Sequence, residues 1–390
     1  MASTILTLNA GSSSIKFALF RRAAEPIECA RGQVEGLGGR TRFAATVDGA
    51  PVTEPELPQQ ADHAGAVKAI LRFVEGHFAG DAIDAVGHRI VHGGTRFAVP
   101  VVLENAEVEW LASLNAFAPL HQPHNLAGVA AARTAFPGAL QVGCFDTAFH
   151  RDHPWVNDTF ALPRAFYDKG VRRYGFHGLS YDSVSRALAE IAPELAAGRV
   201  VIAHLGNGAS MCAIRDGRSV GSTMGFSALD GLPMGTRCGQ LDPGVVLYLL
   251  QQEGMSADEI TQLLYTESGL KGLSGLSHDM RVLERAGTPE AVQAIDYFVF
   301  RIRRELGAMA AVLGGLDALV FCGGIGEHAW RIRARICDDM GWLGMTVDPT
   351  RNAAGAQVIS APDSRVSVMV IPTNEELTIA RGAEELLAGR

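Results

Sequence analysis

What the chain lacks narrows its class before anything it contains. Its most apolar stretch, Ala308 to Cys322, is interrupted by Gly314, Gly315 and Asp317. It falls short of the roughly 18 apolar residues that a membrane span requires. Met1-Ala2-Ser3-Thr4 places no basic residue ahead of the short apolar run Ile5–Leu8, so no signal peptide is expected. Positive charge is not in excess: 34 Lys and Arg against 42 Asp and Glu give a net charge of −8. A broad nucleic-acid surface is thereby disfavoured, and an anionic ligand must be met by a local cluster of arginines. The six cysteines, Cys29, Cys144, Cys212, Cys238, Cys322 and Cys337, show no C-x-x-C spacing, which predicts buried free thiols rather than a disulfide framework. No G-x-x-x-x-G-K-[ST] occurs and no G-x-G-x-x-G follows a strand, so neither a Walker-type NTPase nor a Rossmann dehydrogenase is supported. Histidines are plentiful (His88, His92, His121, His124, His150, His153, His177), yet no H-E-x-x-H or Cys/His quartet exists, which argues against zinc. A soluble, cytoplasmic, globular protein is the expectation.

Its 390 residues are 47% hydrophobic and 19% charged, enough for sizeable cores. At about 150 residues per domain, two or three domains are expected, with a cleft between them. Strand-like and helix-like runs alternate, which indicates an α/β architecture. Ile5–Leu8 is a short β-prone run that breaks at Asn9–Ser14 and resumes as Ile15–Phe20, a strand, turn and strand. Val200–Ala203 repeats the design through His204–Ser210 into Met211–Ile214, a turn at Arg215-Asp216-Gly217 and a further strand. The repetition suggests internal duplication. A third run, Ala318–Phe321, ends in Cys322-Gly323-Gly324-Ile325-Gly326-Glu327. Val67, Ile70, Leu71, Val74 and Phe78 recur at helical spacing. Ser256 and Glu259 form a capping-box pattern. Thr288-Pro289-Glu290 starts another helix, with Val292, Ile295, Phe298 or Val299, Ile302, Leu306 and Met309 as its apolar stripe. Ala50–Ala61 reads as a surface loop, and the chain is expected to cross between domains near His150–Pro154.

The chemistry-bearing residues sit where strands end. Glycine, serine and asparagine there let backbone N–H groups approach an oxyanion closely. Val86–Gly94 alternates like a strand, with Arg89 and Val91 on one face and His88, Ile90 and His92 on the other. A cation beside an apolar side chain suits a short carboxylic acid. Asp146, after the apolar run Leu140–Phe145, suits a Mg²⁺-bound water or a phosphate site. Glu375 and Glu376 are similar, although helix-start acids also serve as plain dipole partners. Arg237 lies in the glycine-flanked loop Met234–Gly239. Two arginines, phosphate-cradling turns and carboxylates for Mg²⁺ are the parts of a phosphoryl-transfer site.

Eleven segments carry a resemblance. Leu8–Phe17, Val86–Gly94, Pro119–Asn125, Phe145–His150 and Arg173–Gly178 resemble motifs of the acetate kinase family. So do His204–Ser210 with Met234–Arg237, Glu267–Leu270, Asp279–Arg281, Gly323–Glu327 and Pro372–Glu376, in family order over nearly the whole chain. The resemblance implies two duplicated actin-like ATPase (ribonuclease H-like) α/β domains with an interdomain cleft, usually in a homodimer. Residues 1–150 with about 378–390 would be the carboxylate-side domain, and 151–377 the nucleotide-binding domain. It implies reversible transfer of the γ-phosphoryl of ATP to acetate, giving acetyl phosphate and ADP, with Mg²⁺ and with Mn²⁺ as an alternative.

Carried over by motif, Asn9, Ser12, Ser14 and Lys16 would belong to the first phosphate-side turn, with Asn9 also near the metal. Arg89 and Arg237 would hold the carboxylate and the transferring group. His177 with Arg237 would stabilise the transition state, His121 would lie near it, and Asp146 and Glu375 would position Mg²⁺. His204, Leu205, Gly206, Asn207 and Gly208 would form the second phosphate loop. Asp279, Met280, Arg281, Gly323, Gly324, Ile325 and Gly326 would bind the adenosine side. Val91, Leu120, Phe176 and Ala228 would line the alkyl pocket. Three positions depart from the family pattern: Thr95 replaces a usual Glu, Ser227-Ala228-Leu229-Asp230-Gly231 replaces Thr-Pro-Leu-Glu-Gly, and Tyr181 stands where a histidine is common. Ala228 is smaller than proline, so propionate is the second acceptor, or the enzyme is a broader short-chain acyl kinase. A sugar kinase on the same framework would use Asp146 as base, but an arginine pair has little purpose for a neutral sugar. A nucleotide-switched scaffold would need partner-binding insertions that these motifs leave no room for.

Overall fold

A computed structural model describes residues 3–11, 13–52 and 60–389. The chain forms two compact units, Met1–Arg151 with Asn374–Arg390, and Asp152–Thr373.

The first unit is built on a sheet of eight strands: β1 (Ser3–Ala10), β2 (Ser14–Arg21), β3 (Ile27–Glu35), β4 (Arg42–Val47), β5 (Ala50–Pro51), β6 (Ala82–Ile90), β7 (Val101–Val102) and β8 (Leu140–Phe145). Their order is β5-β4-β3-β2-β1-β6-β8-β7. β1, β2 and β3 form an antiparallel meander, and β6 and β8 run parallel to β1. Successive residues Ile5, Leu6, Thr7 and Leu8 are all buried, so β1 is covered on both faces. The helices His63–His77 and Gln122–Ala135 pack on each other and on the sheet, and Glu375–Ala388 packs across β1, β6 and β8. Phe17, Phe43 and Phe73 meet with ring centroids 5.4–5.6 Å apart. Arg22, at the end of β2, reaches Asp84 at 2.7 Å and Glu384 at 2.8 Å, which fastens the last helix to the sheet. Of the expected loop Ala50–Ala61, Ala50 and Pro51 pair with β4 as an exposed strand, and residues 53–59 lie outside the described residues.

The second unit has a sheet of five strands: β9 (Arg199–Leu205), β10 (Ala209–Arg215), β11 (Arg218–Ser222), β12 (Ala318–Cys322) and β13 (Ser367–Val370). The order β11-β10-β9-β12-β13 repeats β3-β2-β1-β6-β8, with the same senses: two antiparallel pairs, then two parallel ones. This is the duplication that the two broken strands suggested. The helix Pro289–Leu313 lies against β9, β10 and β11, started by Thr288, whose side chain accepts from the Ala291 amide. Ile295, Phe298, Val299, Ile302, Leu306 and Met309 are buried, but Val292 is 44% exposed. Ala291 takes the inward place one position earlier, so the expected stripe begins one residue out of phase. The Ser256–Glu259 capping box is present in both its halves. Arg333, 1% exposed, donates to the carbonyls of Gly326, Glu327 and Asn352 and to Asn352 Oδ1 at 2.8–2.9 Å. It thereby closes the helix Gly323–His328. All six cysteines are free; five are buried and Cys238 is half-buried, a partial correction to the expectation. Among the described residues, no helix is long and apolar enough to cross a membrane.

The histidines near the ends of β6 and β8 brace the fold rather than gather round one point. His88 Nε2 lies 2.8 Å from Gln141 Oε1 on the neighbouring strand, and the His92 Nδ1 accepts from the Gly94 amide at 2.9 Å. His124 stacks on His63 with ring centroids 5.2 Å apart, and His153 Nε2 meets Ser219 Oγ at 2.6 Å. Burial pushes His88 down to about 4, against the Gln141 hydrogen bond. Burial, with the nearby Arg151 charge, takes His92 to about 3. Both therefore stay neutral in the folded protein, while in the unfolded chain they protonate near 6.5. Below that pH the unfolded state binds more protons, so stability is complete above about 6.5 and falls as the pH drops towards 4. Thermal unfolding between pH 7 and pH 4 is expected to show a falling midpoint, and His88→Gln to flatten that fall; an identical pH slope in the variant contradicts it.

Candidate active site

In the first unit the functional groups gather at the carboxyl ends of the parallel strands, where open α/β sheets place their ligands. Arg89 is the last residue but one of β6, paired opposite Cys144, and Asp146 directly follows β8. Arg89 Nη2 donates to Asp146 Oδ2 at 2.8 Å, and its Nε lies 3.1 Å from both Asp146 oxygens. Its Nη1 lies 3.2 Å from Glu375 Oε2. Glu375 opens the last helix, whose N-cap Asn374 accepts from the Leu377 amide at 3.1 Å. The Asp146 side chain is 1% exposed and that of Glu375 13%. Its amide donates to the Ile90 carbonyl at 3.0 Å, which fixes the turn.

The electrostatics are unbalanced. Burial opposes the Arg89 charge, but Asp146 and Glu375 outweigh it and raise its pKa, so the guanidinium stays charged. Burial pushes the Asp146 carboxyl up to about 6 against the pull of Arg89, and the Glu375 charge adds to the rise. One guanidinium faces two carboxylates, 1 − 2 = −1 when both are ionised. A further cation relieves that surplus, and an all-oxygen donor set suits a hard one. Asp146 spends both oxygens on Arg89, whereas Glu375 gives it one.

The strand expected over Val86–Gly94 ends at Ile90, a correction with a clear cause. The next four amides find side-chain or ring acceptors instead of a neighbouring strand. Val91 donates to Asn125 Oδ1 at 2.9 Å, His92 to Gln122 Oε1 at 3.2 Å, Gly93 to Thr147 Oγ1 at 2.9 Å and Gly94 to His92 Nδ1 at 2.9 Å. Asn125 also donates to the Ala10 carbonyl at 2.6 Å. One amide side chain thus ties the end of β1, and with it Asn9, to the residue beside Arg89. Asn9 pairs opposite the exposed Lys16 across the β1–β2 hairpin, and Ser14 accepts the Gly11 amide at 2.8 Å. Ser12 lies outside the described residues. His121 is the half-buried N-cap position of the helix Gln122–Ala135. Val91 is 7% exposed and Leu120 37%.

In the second unit, the turn Gly206–Gly208 between β9 and β10 brings two further groups together. A Cβ added at Gly208 would stand 2.9 Å from His177 Nε2 and 3.2 Å from Arg237 Nη2, so both side chains point at this glycine. Only a residue without a side chain leaves that space open. His177 holds a left-handed backbone, φ 56° and ψ 24°, at the start of the helix Gly178–Ile191. The other non-glycine residues with positive φ among those described are aspartates, Asp48, Asp216 and Asp339. A histidine held in this region costs about 1–3 kcal/mol, strain of a kind that clusters at functional sites. The ring stacks on His204 with centroids 4.3 Å apart. Arg237 donates to the Ala228 carbonyl at 2.9 Å. Its loop is stapled from behind, because Ser268, Leu270 and Lys271 donate to Thr236, Met234 and Gly235 at 2.9–3.0 Å. Gly269 makes this possible, with φ +63° and no room for a Cβ, which would clash with the Met234 and Arg237 carbonyl oxygens. Asp230, in the stretch that departs from the family pattern, pairs with Arg173 at 3.3 Å.

The remaining expected residues fall in three settings. Gly323, Gly324, Ile325 and Gly326 form the first turn of the helix after β12, and the Gly324 amide lies 3.8 Å from a Cβ added at Gly206. Asp279 caps the helix Met280–Ala286 and pairs with the exposed Arg281 at 2.6 Å; Arg281 first among its causes lowers Asp279 to about 2. Met280, the first residue of that helix, is 3% exposed. Phe176 is likewise 1% exposed. The residues missed by sequence reasoning are Asn125, Gln122, Thr147 and Ser210. All four lie inside the quoted motifs Pro119–Asn125, Phe145–His150 and His204–Ser210, yet nothing in their type marks them as bracing partners.

With this geometry in hand, comparison with known proteins is decisive for the family. The acetokinase family model matches residues 4–381. An acetate kinase of Methylocella silvestris is 58% identical, covering 99% of this chain and 98% of its own length. The crystal structure of Porphyromonas gingivalis acetate kinase is 39% identical and covers 99% of this chain and 100% of its own, with a TM-score of 0.88. A propionate kinase from Francisella tularensis subsp. tularensis is 35% identical, over 97% and 98%, with a TM-score of 0.91. The fold is accordingly the actin-like ATPase type, with its paired α/β domains. A match of this length, over a chain whose strand-end arginines and carboxylates fall in the family's motifs, makes this protein a member of the acetokinase family.

Proposed function

We propose that this chain is an acetate kinase, transferring the γ-phosphoryl of ATP reversibly to acetate to give acetyl phosphate and ADP. The observation that carries the reading is the Arg89 guanidinium fixed at a strand end by Asp146 and Glu375, carboxylates whose surplus charge a divalent cation would offset when a small anion binds beside them. Acetate is already ionised near neutral pH, so it needs no general base. One carboxylate oxygen forms the new bond to the γ-phosphorus as the bridging P–O bond to ADP breaks, its electron pair leaving on the ADP β-phosphate. Charge in such a transition state spreads over the equatorial oxygens, and catalysis rests on positioned donors.

In this reading Arg89, with the apolar Val91, Leu120, Phe176 and Ala228, binds acetate. His177 and Arg237, converging on Gly208, stabilise the transferring phosphoryl, with His121 nearby. Asn9, Ser12, Ser14 and Lys16 serve the phosphate side of the first unit, and His204–Gly208 that of the second. Asp279–Arg281 and Gly323–Gly326 take the adenosine. The surplus negative charge of Asp146 and Glu375 fits a divalent cation, Mg²⁺ with Mn²⁺ as an alternative, and Asn9 would join Glu375 in holding it. Mg²⁺ is commonly held by one or two carboxylates plus substrate phosphates; among the described residues no cluster of three or more acidic, His or Cys groups exists for an all-protein cage. When bound, such an ion neutralises phosphate charge. Acetate ranks ahead of propionate because the relative at 58% identity is named for acetate and the propionate kinase stands at 35%.

A cytoplasmic homodimer completes the reading. The helix Pro243–Gln251 has no buried residue, although Val245, Leu247, Tyr248 and Leu250 are 40–53% exposed and apolar. Leu273 and Leu276 are also exposed. Apolar surface of this extent is uncommon on a monomer, and a second copy would cover it.

Three outcomes follow. Wild-type protein with Mg·ATP and acetate should yield acetohydroxamate when hydroxylamine traps the acyl phosphate, with propionate poorer in kcat/KM by about 10-fold or more; no product with either acid contradicts the reading. Arg89→Ala and Arg237→Ala should each lower kcat at least about 10²-fold, the scale of one transition-state donor, and near-normal turnover in both would remove the arginines from the mechanism. Sedimentation should give a dimer for the wild type and a monomer for Leu247→Glu; a monomeric wild type rules the dimer out.

A further inference from the structure

Behind His177 lies a hydrogen-bonded chain that the phosphoryl-transfer reading does not use. Ser210 Oγ is 2.8 Å from His177 Nδ1 and 2.5 Å from Tyr181 Oη. Ser210 and Tyr181 are both 0% exposed, and Tyr181 sits one turn into the helix that His177 begins. We propose that Tyr181 and Ser210 are positioning residues that fix His177 as the Nε2–H tautomer, so that a neutral imidazole presents an N–H donor towards Gly208 and Arg237. This rests on the kinase reading for the purpose of that donor, not for its existence.

The available protons fix the direction of each hydrogen bond. A phenol is a far stronger acid than an alcohol, so in a short Tyr–Ser contact the phenol donates and the serine oxygen accepts. Burial pushes the Tyr181 phenol well above its ordinary value, so the proton it donates is never lost. Ser210 has a single hydrogen to give, and its remaining contact is His177 Nδ1. The serine hydroxyl therefore donates to Nδ1, which must carry the lone pair, and the ring proton is left on Nε2. That nitrogen faces the Gly208 space from which Arg237 Nη2 also approaches. Two donors aimed at one point suit an oxyanion and nothing cationic.

The neighbouring ring repeats the device. His204, stacked on His177, has its Nδ1 2.7 Å from Ser180 Oγ. Charging both stacked rings would place like charges about 4 Å apart, which disfavours charging one beside the other. Tyr181 is also the position where this chain departs from the histidine common in the family. A histidine has a proton on one nitrogen only and imposes no fixed direction on the serine, whereas a phenol with its proton locked by burial does.

The test reads tautomer and turnover separately. Ring ¹³C and ¹⁵N shifts of histidine-labelled full-length protein, with the His177 signals assigned by their loss in His177→Gln, should report Nε2–H in the wild type. In Tyr181→Phe, which keeps the buried ring, the two tautomers should mix. Its kcat should fall about tenfold, the scale of one hydrogen bond, while both KM values stay within about twofold. In a His177→Gln background, Tyr181→Phe should have no further effect on kcat, because the two act as one unit. Ser210→Ala should mix the tautomers as well. An Nδ1–H signal in the wild type overturns the relay, as does an equal loss of kcat from Tyr181→Phe with and without His177, which marks plain packing. The ring shifts need no turnover: a protein that makes no acetyl phosphate would sink the kinase reading while the shifts still judge the relay.

Discussion

Holding a guanidinium mostly out of water is costly unless its charge is met by well-placed partners, and in the first unit this requirement reaches through the whole architecture. Arg89 is met from two directions, by Asp146 off the end of β8 and by Glu375 off the start of the last helix. For Glu375 to be there, the last helix must return from the second half of the chain and lie across β1, β6 and β8. Arg22 fastens its far end through Glu384 and Asp84. Two arginines at opposite ends of one helix thus hold the carboxylate that completes the site.

The same winding is used twice for different chemistry. β1–β2 and β9–β10 are equivalent hairpins, and β6 and β12 are equivalent parallel neighbours. In the first unit the ends of β6 and β8 carry Arg89 and Asp146; in the second their equivalents β12 and β13 run into the glycines after Cys322 and into Ile371. The first unit spends its strand ends on charge. The second leaves space, with Gly208 open to His177 and Arg237, and keeps those donors fixed by a strained backbone, a serine and a stapled loop. Small anions need charge and orientation, whereas a phosphate chain needs room for backbone and donors to close upon it; in the proposed function the duplicated scaffold would serve both.

Much of this was legible in the sequence, and the rest was not for physical reasons. The broken strands at Asn9–Ser14 and His204–Ser210 announced the duplication, because turn residues between apolar runs have local causes. Arg89 and Asp146 were recognisable as charges at strand ends. That Glu375 joins them was invisible without the family resemblance, since nothing local says on which sheet the last helix lands. The early end of β6 was also hidden, for it depends on acceptors from Asn125, Gln122 and Thr147 that arrive from other segments. The left-handed His177 has no sequence signal: histidine is among the non-glycine residues that adopt this conformation more often than most, but few histidines do so and nothing local marks this one. Val292 shows the limit of periodicity: a helical stripe gives the face, but its edge is decided by what packs there.

The account holds that positioned cations and donors pass the phosphoryl group straight from nucleotide to carboxylate, with no side chain taking it up on the way. The stereochemical course at phosphorus tests this most directly, using ATP made chiral at the γ-position with oxygen isotopes. A single in-line transfer inverts the configuration in the acetyl phosphate formed. Retention would mean two displacements and a phosphorylated side chain, and would contradict the account.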